Sequence, residues 1–472
     1  MSRDWQRSST WRELRGWSRN FGPCAHLTTH PRSVTVALVK LMKFRSALPL
    51  AALLALTLES PGAIKTLQRN HLAEAEDALR RNDADAALKS LDAALAENPE
   101  NAGALFWRGR LRAGKNEWDK ALADLDEAVR LDANNPQAFG YRGYVHQKRR
   151  EIDAALADLN TALRLNPRDD WALYCRGLIA GERGDFLAGI NDLDAAIDGN
   201  PNNVQAINGR GHLQLLRQNF LAAIIDFDRS IAVDPSDPAG FTGRAAANFM
   251  RGEYQKAADD YTKVAQLLPN DARPLSQRAY ALAALKQPDK ALADFELALK
   301  LDPKEISALI GRAELRRMEK KWAEAIADYD AAIAVDADDF RALMGRAAAR
   351  YGQGEIEKAL EDYAETMKTH PDEPQPFNDY AWMLATAVKD SVRNGAKAVD
   401  LAKQACKLTN YKNAAFIDTL AAAYAEKGEW DEALKWQEEA VKLSADQPED
   451  VRKELEERIP LYKEKKAYRE KL

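Results

Sequence analysis

The sequence predicts an all-α solenoid of about eleven helix-turn-helix repeats, followed by a C-terminal capping helix. Three observations predict it: a pattern that recurs every 34 residues, two positions in each repeat that hold only glycine or alanine, and a proline near the end of most repeats. A repeat of this length cannot bury its apolar side alone, so consecutive copies must stack on one another.

The repeat is clearest over 272–305, where a turn joins two short amphipathic patterns. Eleven such segments can be written, and all but one are 34 residues long. They begin at Gln68, Ala102, Pro136, Asp170, Val204, Pro238, Ala272, Ile306, Phe340, Pro374 and Ala414. The tenth segment has 40 residues, and its additional residues fall in the predicted turn over 387–394.

Two positions in the repeat are restricted to small side chains. The eighth position reads Ala75, Gly109, Gly143, Gly177, Gly211, Ala245, Ala279, Ala313, Ala347, Ala381 and Ala421. The twentieth position reads Ala87, Ala121, Ala155, Gly189, Ala223, Ala257, Ala291, Ala325, Ala359, Ala398 and Ala433. Larger side chains would separate two antiparallel helices that pack closely, so these positions predict where the two helices of each repeat touch.

The ends of the helices are also marked. Most second helices are expected to end at a proline, which cannot extend a helix: Pro99, Pro167, Pro201, Pro235, Pro269, Pro303 and Pro371. Polar residues that follow, such as Asn203, Asp237 and Asp271, are suited to cap the next helix. The aromatic residues at the seventeenth position are interpreted as core that closes each hairpin: Trp118, Phe186, Phe220, Tyr254, Trp322 and Trp430.

These positions match those of a known family. The tetratricopeptide repeat family has a large apolar residue, a small one, a second small one, an aromatic, a third small one and a proline where 272–305 has Leu275, Ala279, Ala291, Phe295, Ala298 and Pro303. The chain resembles that family, in its bacterial form, over 64–447. The resemblance implies a right-handed superhelix with a concave groove lined by the first helix of each hairpin. It also implies a non-enzymatic scaffold for protein or peptide partners.

In that family, positions two, five, nine and twelve of the first helix supply the groove. The candidate groove contacts are Phe106, Arg110, Tyr144, Trp171, Tyr174, His212, Arg273 and Tyr280. Aromatic residues and arginines are the usual anchors of an interface, although each of these residues is equally explained as ordinary groove surface. Some members grip a carboxylate with lysine at position five and asparagine at position nine. In repeats two to six, position five reads Phe106, Gly140, Tyr174, Asn208 and Thr242, so that clamp is absent.

Two further positions change together along the chain. The seventh position is arginine in eight consecutive repeats: Arg108, Arg142, Arg176, Arg210, Arg244, Arg278, Arg312 and Arg346. The twenty-third position is aspartate in the same eight: Asp124, Asp158, Asp192, Asp226, Asp260, Asp294, Asp328 and Asp362. The first and last repeats lack both residues, which predicts that the two positions are in contact.

We expect an Arg–Asp ladder that pairs within a repeat or between neighbouring repeats and fixes the register of the helices. The family usually has an apolar residue at position seven, so the guanidinium groups should be at least partly buried. Replacement of Asp294 by alanine should then lower the melting temperature. The alternative is a basic stripe that binds anionic ligands, but each arginine is accompanied by its own carboxylate.

The N-terminal region differs from the repeats. Residues 1–41 form a basic leader, interpreted either as an unusually long, disordered n-region or as untranslated, with translation starting at Met42. Residues 42–63 are interpreted as a signal peptide or N-terminal anchor, because a basic flank precedes a 12-residue apolar run over 47–58. This run is short for a membrane span. It predicts a periplasmic or secreted protein, with a membrane-anchored or cytoplasmic protein as the alternative. The run itself is alternatively a buried helix that caps the array.

Composition excludes several functions. The balance of 68 basic and 73 acidic residues gives no electrostatic reason to bind nucleic acid. Cys24, Cys175 and Cys406 are far apart in sequence, so neither a zinc site nor a disulfide framework is indicated. Neither HExxH nor a phosphate-binding loop motif occurs. No catalytic residue, metal or cofactor is therefore predicted.

Residues 448–472 are predicted to form one capping helix, because Val451, Leu455 and Ile459 are spaced four residues apart in a charged segment, with a break or kink at Pro460. As a whole, the sequence predicts a scaffold that binds a protein or peptide. The alternatives are an envelope solenoid that assists polysaccharide export and a recognition arm of an enzyme complex.

Overall fold

The structure, a computed structural model, describes residues 63–470. Every regular element in that part of the chain is a helix. The chain forms two compact units that divide after Leu268. The described part of unit 1 is 63–268 and contains repeats one to six, and that of unit 2 is 269–470 and contains repeats seven to eleven.

Each repeat is a hairpin of two helices. Unit 1 contains α1 (Ala63–Arg80), α2 (Ala84–Glu97), α3 (Ala102–Gly114), α4 (Trp118–Leu131), α5 (Pro136–Lys148), α6 (Ile152–Leu165), α7 (Asp170–Glu182), α8 (Phe186–Gly199), α9 (Val204–Leu216), α10 (Phe220–Val233), α11 (Pro238–Met250) and α12 (Tyr254–Leu267). Within the unit, each helix packs on the next one in the chain. This consecutive packing is that of a solenoid, as predicted.

Unit 2 continues the pattern. It contains α13 (Arg273–Ala284), α14 (Pro288–Leu301), α15 (Ile306–Met318), α16 (Trp322–Val335), α17 (Phe340–Gln353), α18 (Ile356–Thr369), α19 (Pro374–Thr386), α20 (Gly395–Leu408), α21 (Ala414–Lys427), α22 (Trp430–Leu443), α23 (Glu449–Glu456) and α24 (Arg458–Lys463). The longer turn of the tenth repeat holds a short 3₁₀ helix, Asp390–Val392. The predicted leader and signal peptide lie outside the described residues, apart from Ala63, which begins α1.

Local chemistry sets the ends of the helices. The side chain of Asn203 accepts a hydrogen bond from the backbone N–H of Ala206 at 3.0 Å, and Asp339 accepts one from Ala342 at the same distance. Such caps satisfy donors that the first turn leaves unpaired and contribute about 1 kcal/mol each. Between the two helices, position fifteen is left-handed in all repeats but the tenth, with φ between 59° and 86°.

The small positions bring the two helices of a hairpin together. A Cβ atom added at Gly177, at the eighth position, would lie 2.9 Å from the carbonyl oxygen of Gly189, at the twentieth. Repeats are joined by a second device: the buried ring of Phe295 fills the space at Gly311 of the following repeat, where an added Cβ would lie 2.1 Å from it. Neither contact leaves room for a larger side chain.

The C-terminal region differs from the prediction of one capping helix. Two short helices, α23 and α24, close the last hairpin, and the chain turns between them at Glu457. The break is not at Pro460, because this proline lies in the first turn of α24, where its missing N–H would have no acceptor. Leu455 and Tyr462 are buried against the last repeat and provide the cap.

Candidate functional site

The first helix of each repeat presents a recurring set of positions, which we call the first-helix face: positions two, five, six, nine, twelve and thirteen. Residues three or four apart on a helix lie on the same side, so these positions form one surface along consecutive first helices. We describe this face separately in the two units. It carries all eight of the predicted groove contacts.

In unit 1, the face contains a continuous aromatic cluster on α3, α5 and α7. The rings of Tyr141 and Trp171 stack with their centroids 4.9 Å apart, and Tyr144 meets Trp171 edge-on at 5.3 Å. Trp171 also contacts Tyr174 at 5.5 Å. The buried indole Nε1 of Trp171 has no hydrogen-bond acceptor among the described residues.

Two cations lie on these rings. The guanidinium of Arg110 is 4.7 Å from the ring centroid of Trp107 and 5.1 Å from that of Tyr141. The ammonium of Lys148 is 5.0 Å from the centroid of Tyr144, and burial lowers the pKa of this lysine. Within the described part of the chain, neither cation forms an ion pair. We call Trp107, Arg110, Tyr144, Lys148 and Trp171 the aromatic–basic patch.

The structure divides the eight predicted groove contacts into two sets. Phe106, Tyr174 and Tyr280 are at most 3% exposed. They therefore belong to the core, because neighbouring side chains cover positions that the sequence assigned to the surface. Tyr280 also donates its hydroxyl to the carbonyl oxygen of Ser307 at 2.6 Å. These three residues are not accessible to a partner in this conformation.

The other five predicted contacts are partly exposed. Arg110, Tyr144 and Trp171 belong to the aromatic–basic patch, and the sequence missed its other two members, Trp107 and Lys148. Burial lowers the pKa of His212 on α9 and raises that of Tyr144 above its ordinary value. Arg273, in unit 2, forms an ion pair with Asp271, which precedes it by two residues.

The predicted arginines and aspartates lie together in all eight repeats. In each, the arginine donates from Nε and Nη2 to both carboxylate oxygens of the aspartate sixteen residues later, at 2.5–3.1 Å. The aspartate side chains are 5–16% exposed and those of the arginines 17–32%. The ladder therefore pairs within a repeat, and its carboxylates are the more buried partners.

Most of these arginines also reach the preceding repeat, through an acceptor position that the sequence analysis did not single out. Nη1 donates to the side chain at position twenty-five of that repeat, as in the pairs of Arg244 with Asp228 at 2.6 Å and Arg346 with Asp330 at 2.7 Å. The other acceptors are Asp92, Asp126, Asn160 and Asp194. One guanidinium thus joins three helices. Its Nε and Nη2 bind the aspartate of the same repeat, which leaves its Nη1 to bind the second helix of the preceding repeat.

In unit 2, the C-terminal segment 467–470 covers part of the first-helix face. It follows α24 and lies against α17, α19 and α21, where it contacts Tyr351, Trp382 and Glu426. Sequence reasoning missed this segment, because its residues occur once and have no counterpart in other repeats.

Within the described residues, 63–470, no helix has both the length and the apolar content needed to cross a lipid bilayer. The same residues contain no group of three or more histidine, cysteine or acidic side chains placed to hold a metal ion.

Comparison with protein families identifies the class of repeat. One model of the tetratricopeptide repeat matches 72–136, 174–238, 217–272 and 314–374, and a second model of the same repeat matches 272–305. Together these matches cover more than half of the chain. The chain belongs to the tetratricopeptide repeat family.

Solved structures of similar fold include three with these properties. A tetratricopeptide repeat protein from Parabacteroides merdae is 24% identical, with a TM-score of 0.41, over 53% of this chain and 99% of its own. Yeast Tom70 is 15% identical, with a TM-score of 0.43, over 84% and 96% of the two chains. PilF of Pseudomonas aeruginosa is 20% identical, with a TM-score of 0.41, over 45% and 97%. No curated protein matches the chain.

Membership of this family establishes a general role. Tetratricopeptide repeats generally mediate protein–protein interaction, and proteins built from them are typically scaffolds without enzymatic activity.

Proposed function

We propose that this protein is a non-enzymatic scaffold that binds an acidic peptide segment of a protein partner at the aromatic–basic patch of unit 1. One observation carries the proposal: Arg110 and Lys148 lie on aromatic rings, and neither forms a direct ion pair with a carboxylate of the described residues, although Glu182 interacts electrostatically with Lys148. Every arginine of the ladder, in contrast, is matched by an aspartate. The charge of the patch is therefore available to a carboxylate of a partner.

The composition of the patch suits an interface. Tryptophan, tyrosine and arginine are the residues that contribute most binding free energy in protein complexes. A guanidinium held against two rings loses little side-chain freedom when it meets a carboxylate, so the patch is organised before binding. The exposed faces of Tyr144 and Trp171 can pack against an aromatic or aliphatic side chain of the same segment.

The leader supports a location for this scaffold. The apolar run over 47–58 with its basic flank favours export, which would place the partner in the envelope or outside the cell. A role in polysaccharide export or as the recognition arm of an envelope enzyme is the corresponding second candidate. N-terminal sequencing of the protein from its natural source tests this part of the proposal: a mature chain that begins near residue 64 supports export, and an intact leader contradicts it.

Selection of peptides from a random library on the immobilised full chain tests the patch. We expect selected peptides to combine acidic and aromatic residues, and binding to weaken at least tenfold in the double variant Arg110→Gln, Lys148→Gln. The matched control is Lys89→Gln, Arg164→Gln, which removes the same charge from exposed positions on second helices.

Equal loss of binding in both double variants would contradict binding at the aromatic–basic patch, because the loss would then follow from the change in net charge alone. Binding should also weaken with added salt, because salt screens the attraction between the carboxylates of the peptide and the cations Arg110 and Lys148. Hydrolytic or transferase activity of the purified chain would overturn the scaffold itself.

A further inference from the structure

The segment 467–470 contacts unit 2 in the manner of a bound peptide. A side-chain oxygen of Glu470 accepts hydrogen bonds from the hydroxyl of Tyr351 at 2.9 Å and from the indole Nε1 of Trp382 at 2.8 Å. The backbone N–H of Glu470 donates to the carbonyl oxygen of Thr386 at 3.0 Å. A carboxylate and a main-chain donor are thus recognised at the same residue.

The two preceding residues add an aromatic and a charged contact. The ring of Tyr468 lies 5.8 Å from that of Trp382, and the guanidinium of Arg458 lies over both, at 5.2 Å from Trp382 and 4.6 Å from Tyr468. Arg469 forms an ion pair with Glu426 at 2.6 Å. The segment therefore presents an aromatic, a basic and an acidic side chain in succession, and each has its own partner.

The segment adjoins the cap of the solenoid, since Arg458 of α24 lies on the ring of Tyr468, but its contacts through Arg469 and Glu470 are its own. Leu455 and Tyr462, in α23 and α24, are 5% and 0% exposed and close the last hairpin. Residues 467–470, in contrast, are all half-buried and have no regular secondary structure. Their removal from the surface would uncover polar and aromatic groups on the first helices, while α23 and α24 would keep their own packing on α22.

The groups that hold the segment belong to the first-helix face. Tyr351, Trp382 and Glu426 stand at positions twelve, nine and thirteen of the first helices α17, α19 and α21. We propose that this surface is a second peptide-binding site, which the chain's own segment 467–470 occupies in cis. In trans, it takes an extended segment of a partner protein with an aromatic, a basic and an acidic residue in that order. The inference rests on the proposed function only in assigning binding to the first helices.

Occupation in cis would control access to the site. A short tether holds its ligand at an effective concentration in the millimolar range, so a partner segment must compete with 467–470. The apparent affinity for the partner is reduced by the fraction of molecules in which the site is open. Weakening the segment's own contacts should therefore strengthen binding in trans.

A labelled synthetic peptide of residues 465–472 provides the probe, and full-length variants provide the comparison. We expect the double variant Tyr468→Ala, Glu470→Ala to bind the peptide at least tenfold more tightly than the wild type, by fluorescence anisotropy. Glu470→Gln, which keeps the shape of the side chain, should give a smaller gain. Adding Trp382→Ala to the double variant should abolish the gain, because it removes the group that holds both tyrosine and glutamate.

The matched control is Glu464→Ala, which removes another glutamate of the same region whose described partner is only the exposed Lys466. It should leave peptide affinity unchanged. Peptide binding that is equal in all variants, or absent from all, would overturn the inference and leave 467–470 as part of the cap. A concentration-dependent dimer of the wild type would also overturn it, since the occupant would then come from a second copy.

The unit 1 variant Arg110→Gln, Lys148→Gln separates this result from the proposed function. It should bind the 465–472 peptide as tightly as the wild type does. If the 465–472 peptide does not bind while the aromatic–basic patch still selects its own peptides, the second site is wrong and the proposed function is unaffected.

Discussion

The first-helix faces of the two units differ in how their charged and aromatic groups are satisfied. In unit 1, Arg110 and Lys148 lie on rings and form no direct ion pair in the described chain, and the indole N–H of Trp171 has no acceptor there. In unit 2, the indole N–H of Trp382 donates to Glu470, and Glu426 pairs with Arg469 and Arg393. One face leaves these groups without a direct partner in the described chain, and the other holds a segment of the chain.

The framework beneath both faces is the same. The Arg–Asp ladder runs through repeats two to nine, from Arg108 in unit 1 to Arg346 in unit 2, with the same bidentate geometry. The difference thus lies in positions that do not repeat. It teaches that periodic residues build this solenoid and that residues that occur once give each face its chemistry.

The largest expected effect comes from removing an aspartate of the Arg–Asp ladder, which both units share. Arg244 binds the buried Asp260, which is 9% exposed, and the solvated Asp228, which is 53% exposed. We expect Asp260→Ala to lower the free energy of unfolding by about 2–3 kcal/mol, because it leaves a partly buried guanidinium without its main partner. Asp228→Ala should cost less than about 1 kcal/mol. Urea unfolding of the two variants measures the difference.

The same comparison extends to unit 2. There, Asp294→Ala should match Asp260→Ala, since Asp294 is held by Arg278 in the same way. Similar costs for Asp260→Ala and Asp228→Ala would contradict the assignment of stability to the buried carboxylate. A cost in only one of the two units would contradict the common framework.

The sequence predicted the parts of the molecule that depend on periodicity. Hairpin positions followed from the two columns of small residues, and the pairing of Arg278 with Asp294 followed from two columns that change together. The second acceptor that most of the arginines use was not predictable in this way, because position twenty-five is not uniform: Asp92 and Asp126 are followed by Asn160, and the later repeats include Thr262 and Glu296 at this position. The left-handed conformation at position fifteen was not predictable for the same reason, because only four of the residues at this position are glycine.

The candidate site was predictable only in part. Arg110, Tyr144 and Trp171 are partly exposed on the predicted face, but Phe106 and Tyr174 are buried. A position in a repeat fixes the direction of a side chain and says nothing about the size of its neighbours. The segment 467–470 could not be found from the sequence, because a contact between distant parts of the chain leaves no local pattern.

The next largest effect is expected when the same substitution, tryptophan to phenylalanine, is made on each of the two faces. Trp382→Phe removes an indole N–H that donates to the charged Glu470, whereas Trp171→Phe removes a buried N–H without an acceptor. Both substitutions replace an indole by the smaller phenyl ring, so they remove the same volume. We expect Trp382→Phe to lower the free energy of unfolding by about 1–2 kcal/mol more than Trp171→Phe, because only the first breaks a hydrogen bond to a charged group.

Hydrogen exchange in α19 and α7 provides the local readout for this pair. Exchange should increase around α19 in Trp382→Phe and stay near the wild-type rate around α7 in Trp171→Phe. Equal losses of stability would show that ring size alone matters. The two faces would then not differ in the way that their hydrogen bonds indicate.

The smallest expected effect is a pH dependence confined to unit 1. Burial lowers the pKa of His212 in the folded protein below its ordinary value of 6.5. Between 6.5 and the lowered pKa, the unfolded chain binds a proton that the folded chain does not, so unit 1 loses stability as the pH falls through this window and levels off below it. Above pH 6.5 the contribution is fully present.

The variant His212→Gln isolates this contribution, since it keeps a polar side chain that does not titrate. We expect urea midpoints of the wild type to fall relative to those of the variant between pH 7.5 and about 5.5, with faster hydrogen exchange in α9. In unit 2, exchange in α17 should change equally in both proteins, because His370, the histidine of the described part of that unit, lies after α18 rather than on the first-helix face. Parallel pH profiles of the two proteins would show that His212 titrates as freely in the folded face as in the unfolded chain.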